Sequence, residues 1–396
     1  MQSFDFQLRP RIVFGPGKVQ SLGELAQQLG RRRALVVSDS GVVAAGHFAT
    51  GVRALRSAGL EVESFHDFGE NPTTSMVEAG AVVARRFQPD LLVGLGGGSS
   101  MDCCKGINFV YSCGGSMHDY HGLGKATADL LEMIAVPTTA GTGSEAQSFA
   151  LISDAQTHVK MACGDPRAAC RIALLDPELT LTQPPRITAL TGIDALSHAI
   201  ETFVTRKRNP ISTTFSRRAF GLLATGFPQV VANPDDLAAR GAMQLGACFA
   251  GLAIETSMLG AAHATANPLT AHFGITHGQA VGVMLPSVIR LNGQAHAEWY
   301  AELLREIPAD VAPSDAAAQP IAAAPERLAR IVTQWLGLAQ LASSLDDLAI
   351  PRDAYPQLAS DAMRQWTGTF NPIALSEQIV RQLYADAAAR SSPSTS

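Results

Sequence analysis

An α/β domain followed by an all-helical domain is the fold that this 396-residue sequence predicts. Three observations carry the prediction. In the first half, short β-branched runs alternate with helical periods; several of those runs end in loops rich in glycine or threonine; from about residue 185 onward only helical periods remain. Arg33–Asp39 is a strand ending in a polar turn, and residues 41–60 have the spacing of one helix stopping at a glycine. A strand follows at 61–69 and a helix at 76–88. PDLLVGLGGGSS (89–100) is a buried strand running into glycines, SMDCCKGINFVYS opens the next helix, and LLEMIAVPTTAGTGSE repeats the strand-to-loop form. In the second half, 191–202, 219–233, 236–254, 325–342 and 375–389 read as helices. Prolines and turn residues cluster at 174–188, which sets the expected domains at 1–184 and 185–396. The Ala- and Pro-rich stretch 307–325 reads as a surface connection, and the tail from 389 as disordered.

Composition narrows the function. Apolar residues are 46% and charged residues 16%, as in a well-buried globular enzyme. A net charge of -5, with no stripe of Lys and Arg, argues against nucleic acid; Arg31–Arg33 is a short solvated cluster before a strand. There is no run of about eighteen apolar residues, so no membrane span is expected, and the N-terminus lacks a secretory pattern. Six cysteines without a C-x-x-C spacing read as free thiols in a reducing compartment, which suggests a cytoplasmic protein.

GLGGGSSMD (94–102) follows a strand and opens a helix. Gly97 and Gly98 let the backbone approach a phosphate, the helix N-terminus offers unpaired N–H groups, and Ser99 adds a hydroxyl. This turn is not a true G-x-G-x-x-G, and a tight strand-to-helix turn without a ligand is the alternative; phosphate binding is the favoured reading, which makes the first half a Rossmann-like dinucleotide-binding domain. Asp39 ends an earlier strand; a carboxylate there holds both ribose hydroxyls of an adenosine and repels a 2′-phosphate, which favours NAD over NADP. A simple turn aspartate is the alternative. PTTAGTGSE (137–145) offers Thr138, Thr139, Thr142 and Ser144 as hydroxyl donors at another strand end, and Lys160 adds a positive charge, with a solvated lysine as its alternative reading.

The second half supplies metal chemistry. In TGIDALSHAIET (191–202), Asp194 and His198 lie one helical turn apart, which by itself also suits a surface pair. His263 sits in a run of small residues, and His277 follows fourteen residues later, just before a glycine and another apolar helix. Two imidazoles on helix ends around a turn can converge with Asp194 and His198. One carboxylate and three imidazoles form a donor set suited to Fe2+ or Zn2+. A nicotinamide beside an open metal site implies reversible oxidation of an alcohol to an aldehyde or ketone.

Taken together, GGGSSMDCCKG, PTTAGTGSE, TGIDALSHAIE and HATANP…GITHG resemble the iron-activated (group III) alcohol dehydrogenases, from about residue 10 to about 385. The resemblance implies a dinucleotide-binding α/β domain, a helical metal-binding domain and an active site in the cleft between them. It implies Asp194, His198, His263 and His277 as metal ligands, and places Asp39, Asn71, Gly97, Gly98, Ser99, Thr138, Thr142 and Lys160 on the cofactor. It implies a small alcohol or aldehyde substrate and a cytoplasmic homodimer or larger oligomer. His263, Asn267 and His277 fall on catalytic positions, but Asn267 replaces a family histidine thought to relay a proton; His272 is the alternative carrier, and a solvated core histidine is its plainer reading. Ile254, Glu255 and Gln147 depart from the pattern at pocket-lining positions, and no Arg or Lys stands ready for a strongly anionic substrate. TFNPI departs from the usual Asn-Pro-Arg. Two alternatives remain: a metal-free reductase similar to the maleylacetate reductases, against which the complete donor set speaks, and a non-catalytic nucleotide-binding relative.

Overall fold

The computed structural model describes residues 4–157, 159–308 and 320–388. Most of the Ala/Pro-rich connection and all of the tail from residue 389 lie outside these. The chain divides into two compact units: Gln7–Gln183, and the remainder from Pro184, which also takes in the N-terminal residues through Phe6.

The first unit contains strands β1 (Arg11–Phe14), β2 (Arg33–Val37), β3 (Glu61–Phe65), β4 (Leu91–Gly96), β5 (Gly122–Leu123), β6 (Met133–Pro137), β7 (Phe149–Ser153), β8 (Lys160–Gly164) and β9 (Ile172–Leu175). Six form one sheet in the order β1-β9-β6-β4-β2-β3, and all its pairings are parallel. Both faces of its central strands β2, β4, β6 and β9 are buried, which is why these read as near-continuous apolar runs. Along β2, Ala34 and Val36 join the core on one face and Leu35 and Val37 that on the other. The remaining strands form a small sheet in the order β5-β8-β7, whose antiparallel β7–β8 pair is not evident in the sequence.

β3 lies on one side of β2 and β4 on the other, so the chain reverses direction across the sheet at β2–β4. Loops leaving the carboxyl ends of strands at such a reversal splay apart and leave a crevice. Asp39 follows β2, the glycine turn follows β4, and Thr138 follows β6 beside it.

The single helix expected at 41–60 is two, Ser40–Ala44 and His47–Ser57, separated by Gly46 in the left-handed conformation (φ 83°). From Pro184 onward the described residues contain no strand. Helices Pro185–Phe203, Pro210–Ala232, Leu237–Thr256, Ala261–Phe273 and His277–Leu304 are followed by Ala324–Leu338, Tyr355–Met363 and Glu377–Asp386. Leu237–Thr256 has the length and composition of a membrane span although it holds no uninterrupted apolar run, but 72% of its most apolar window is buried in the protein. Its Arg240 is buried and donates to Thr188 Oγ1 at 2.9 Å, an arrangement suited to a core helix.

Asp176, at the end of β9, is fully buried and accepts N–H groups from Gly17 (3.1 Å), Val19 (2.9 Å) and Glu178 (3.1 Å). Asp176→Ala leaves those donors without an acceptor and should lower unfolding free energy by about 1–3 kcal/mol in denaturant melts. A loss below about 0.5 kcal/mol would show that water replaces the carboxylate.

Candidate metal centre and cofactor loops

Helix Pro185–Phe203 carries Asp194, His198 and Glu201 at positions i, i+4 and i+7, hence on one face, and all three are buried. His263 is the third residue of helix Ala261–Phe273, and His277 the first of His277–Leu304. A Cβ on Gly278 would stand 2.2 Å from the Leu190 carbonyl oxygen, so only glycine after His277 lets that helix start come so close to the aspartate helix.

Three of the four expected ligands, Asp194, His263 and His277, each bring a donor atom within 4.8 Å of the others, and His198 lies beside two of them. Asp194 Oδ1 lies 3.5 Å from His198 Nε2, 3.5 Å from His263 Nε2 and 3.7 Å from His277 Nε2. His198 Nε2 is 3.1 Å from His263 Nε2. Asp194 Oδ1 is buried, yet sits beyond ordinary hydrogen-bond length from all three nitrogens. Donors bound at ~2.1 Å around a tetrahedral cation stand about 3.4 Å apart, so the spacing fits such an ion. His277 is 36% exposed while the other three side chains are nearly covered, so the cluster opens at His277.

The electrostatics agree. Burial alone would raise the Asp194 pKa, but the rings of His198, His263 and His277 outweigh it and hold the carboxyl below its usual range. Burial alone would lower His263; Asp194 and Glu201 outweigh that and raise it to about 9. The two carboxylates give the pocket a negative charge that draws in a proton or a metal cation.

Glu201 lies in the same motif as Asp194 and His198, and sequence reasoning assigns it no role. Its Oε2 accepts from His263 Nδ1 at 2.6 Å, and its Oε1 accepts the Ala262 N–H at 2.7 Å. The first contact fixes the tautomer that turns Nε2 toward the cluster; the second satisfies a helix-start N–H beside the positive end of the helix dipole. Its spacing from Asp194 and His198 is the signal that could have found it. Asn371 braces the same helix start, accepting the Ala261 N–H at 3.3 Å while paired with Asn292.

Asn267, one turn beyond His263, donates through Nδ2 to Gln365 Oε1 at 2.9 Å. His272 does not join the cluster: it is exposed and paired with Asp361 Oδ2 at 2.5 Å, not a core histidine. Ile254 is buried, Glu255 exposed, and Gln147 donates to the Thr142 carbonyl at 2.8 Å.

In the first unit, Asp39 caps the helix Ser40–Ala44, accepting from Val42 N at 3.0 Å, and also accepts from Ser100 Oγ at 2.9 Å. The turn-forming reading and placement beside the glycine turn are therefore both present. Gly97 and Gly98 begin the helix Gly98–Cys113. Asn71 donates its N–H to Ser99 Oγ at 3.3 Å, and Lys160 Nζ lies 3.4 Å from Asn71 Oδ1. Thr138 N donates to Gly96 O at 3.0 Å, and Thr139 and Thr142 border Gly97 and Gly98. Ser144 instead points inward, donating to Asp102 Oδ1 at 2.9 Å.

Residues 9–177 match the family model described as iron-containing alcohol dehydrogenase, and 188–388 match that of the Fe-containing alcohol dehydrogenase family, C-terminal. The chain is 34% identical over 389 residues to a 1,3-propanediol dehydrogenase of Klebsiella pneumoniae, covering 97% of this chain and 98% of the relative. It is 31% identical to an NAD-dependent methanol dehydrogenase of Bacillus methanolicus, with 97% and 99% covered. A solved 1,3-propanediol oxidoreductase superimposes with a TM-score of 0.92 at 31% identity, covering 98% of this chain and all (100%) of the other.

Replacing Glu201 by Gln should weaken Zn2+ or Fe2+ binding about 10–100-fold in chelator competition, with the helical circular dichroism retained. Unchanged affinity would reduce Glu201 to a helix cap.

Proposed function

Because the chain belongs to the iron-containing alcohol dehydrogenase family, a family of oxidoreductases, we propose that it moves a hydride reversibly between NAD and a small alcohol or aldehyde, using a divalent cation held by Asp194, His198, His263 and His277. The observation that carries this reading is the buried Asp194 Oδ1 facing three imidazole nitrogens at 3.5–3.7 Å.

A divalent cation in such a donor set supplies Lewis acidity, favouring alkoxide character in an alcohol or polarising a carbonyl, while the nicotinamide gives or takes the hydride. The protein's own groups do the rest. Glu201 orients His263, and the partial exposure of His277 leaves a side from which substrate can approach. Gly97, Gly98, Ser99 and the loop threonines form a phosphate cradle at a helix N-terminus. Each Asp39 oxygen accepts one hydrogen bond and keeps a lone pair for ribose hydroxyls, and its charge repels a 2′-phosphate. Asn267, one turn after His263, orients water but holds no titratable proton, so a proton from the substrate would have to leave through water. The family description favours Fe2+; the donors also suit Zn2+.

Metal analysis after anaerobic purification identifies the ion. The nicotinamide absorbance assay, run over short alcohols and aldehydes, should show turnover that a chelator removes and Fe2+ or Zn2+ restores. A metal-loaded protein that binds NADH and turns over none of the panel would overturn the reading. Asp39→Gly should shift the ratio of kcat/KM for NADPH over NADH upward by about tenfold; an unshifted ratio would leave Asp39 a helix cap only.

A further inference from the structure

Lys105 is 1% exposed, in the helix that starts at the glycine turn. A buried ammonium is tolerated only when its donors are used. Its Nζ donates to three loop carbonyls, Ser144 O at 2.6 Å, Gln147 O at 2.7 Å and Phe149 O at 3.0 Å, and lies 3.1 Å from Ser144 Oγ. These carbonyls belong to the connection between β6 and β7 and the first residue of β7.

The contacts continue to the threonines. Ser144 N–H donates to Thr142 Oγ1 at 3.3 Å, and Gln147 Nε2 donates to Thr142 O at 2.8 Å. Thr142 in turn abuts the glycine turn: a Cβ on Gly98 would lie 2.7 Å from Thr142 Cγ2. Having accepted a backbone N–H, the Thr142 hydroxyl keeps its own proton to donate. Ser144 Oγ is committed to Asp102 Oδ1 at 2.9 Å, so it acts within this network and not as a cofactor donor. Burial pushes the Asp102 carboxyl up, and the charges of Lys105 and Lys160 oppose that. Without Lys105, the buried Asp102 carboxyl, in the first turns of the helix that starts at the glycine turn, would keep only the more modest help of Lys160 and its hydrogen bonds.

We propose that Lys105 is the positioning residue of the dinucleotide site: through Ser144 and Gln147 it sets the distance between the threonine loop and the glycine turn, and it offsets Asp102 so that a pyrophosphate can bind there. The proposal rests on the dinucleotide reading of this unit. Lys105 touches no cofactor atom; it acts through Thr142 and Asp102.

Affinities for NADH, ADP and adenosine, measured by fluorescence titration and competition on the full-length metal-loaded protein, test it. Lys105→Met should weaken NADH and ADP about tenfold with full binding stoichiometry, while adenosine, which lacks phosphate, changes less than about twofold. Metal affinity, whose donors lie in the other unit, should stay within about twofold. Ser144→Ala and Gln147→Ala should each weaken ADP about threefold, and they carry the test if Lys105→Met does not fold. Unchanged ADP affinity in the variants, or a lowered stoichiometry at unchanged affinity, would overturn the proposal and leave Lys105 a purely structural staple. If the unaltered protein binds neither NADH nor ADP, the dinucleotide reading fails instead.

Discussion

A carboxylate buried away from water must be met by positive charge or by hydrogen-bond donors, and Asp194 is met by three imidazole rings. That requirement organises much of the helical unit. It demands that helices starting at Ala261 and His277 deliver their rings to one face of Pro185–Phe203, which the small Gly278 permits. Glu201 then completes the arrangement by holding His263 from behind and tying the next helix start to the same face. The site is thus built by close helix packing, with small residues at the contact.

The α/β unit meets a different constraint. Parallel strands present their carboxyl ends on one edge, and the reversal between β3 and β4 across β2 opens that edge to a ligand. Loops there have few regular backbone partners, so side chains must satisfy them. Lys105 does this for the connection after β6, and Asp39 and Ser100 link the ends of β2 and β4. The same groups that satisfy the backbone set the shape of the candidate phosphate cradle.

Several parts of this were legible in the residues. Asp194 and His198 are spaced by one helical turn, and a helix carries that spacing into space unchanged. The glycines at 96–98 lie at the end of a buried strand, and the alternation that identifies the sheet is local. Less legible was the break at Gly46, because the apolar spacing on either side is compatible with one continuous helix. Ser144 looks like a ligand donor in a polar loop, and only the approach of Asp102, 42 residues earlier, shows where its hydroxyl goes. Lys105 carries no signal of its own, since a lysine in a helical run ordinarily lies in water. His272 matches a proton-carrying role in type but not in place, being claimed by Asp361, 89 residues away.

The sequence by itself determined the two kinds of unit, the glycine turn at a strand end, the donor types of the metal set, and the family those motifs identify. Tertiary structure alone decided that Asp194, His263 and His277, from three helices, bring their donor atoms within 4.8 Å of one another with His198 beside them, that Glu201 stands behind His263, and that Lys105 joins two loops. The reason is physical: spacing along one helix or strand follows from its fixed repeat, whereas the distance between elements depends on how their side chains pack, and no local repeat encodes it.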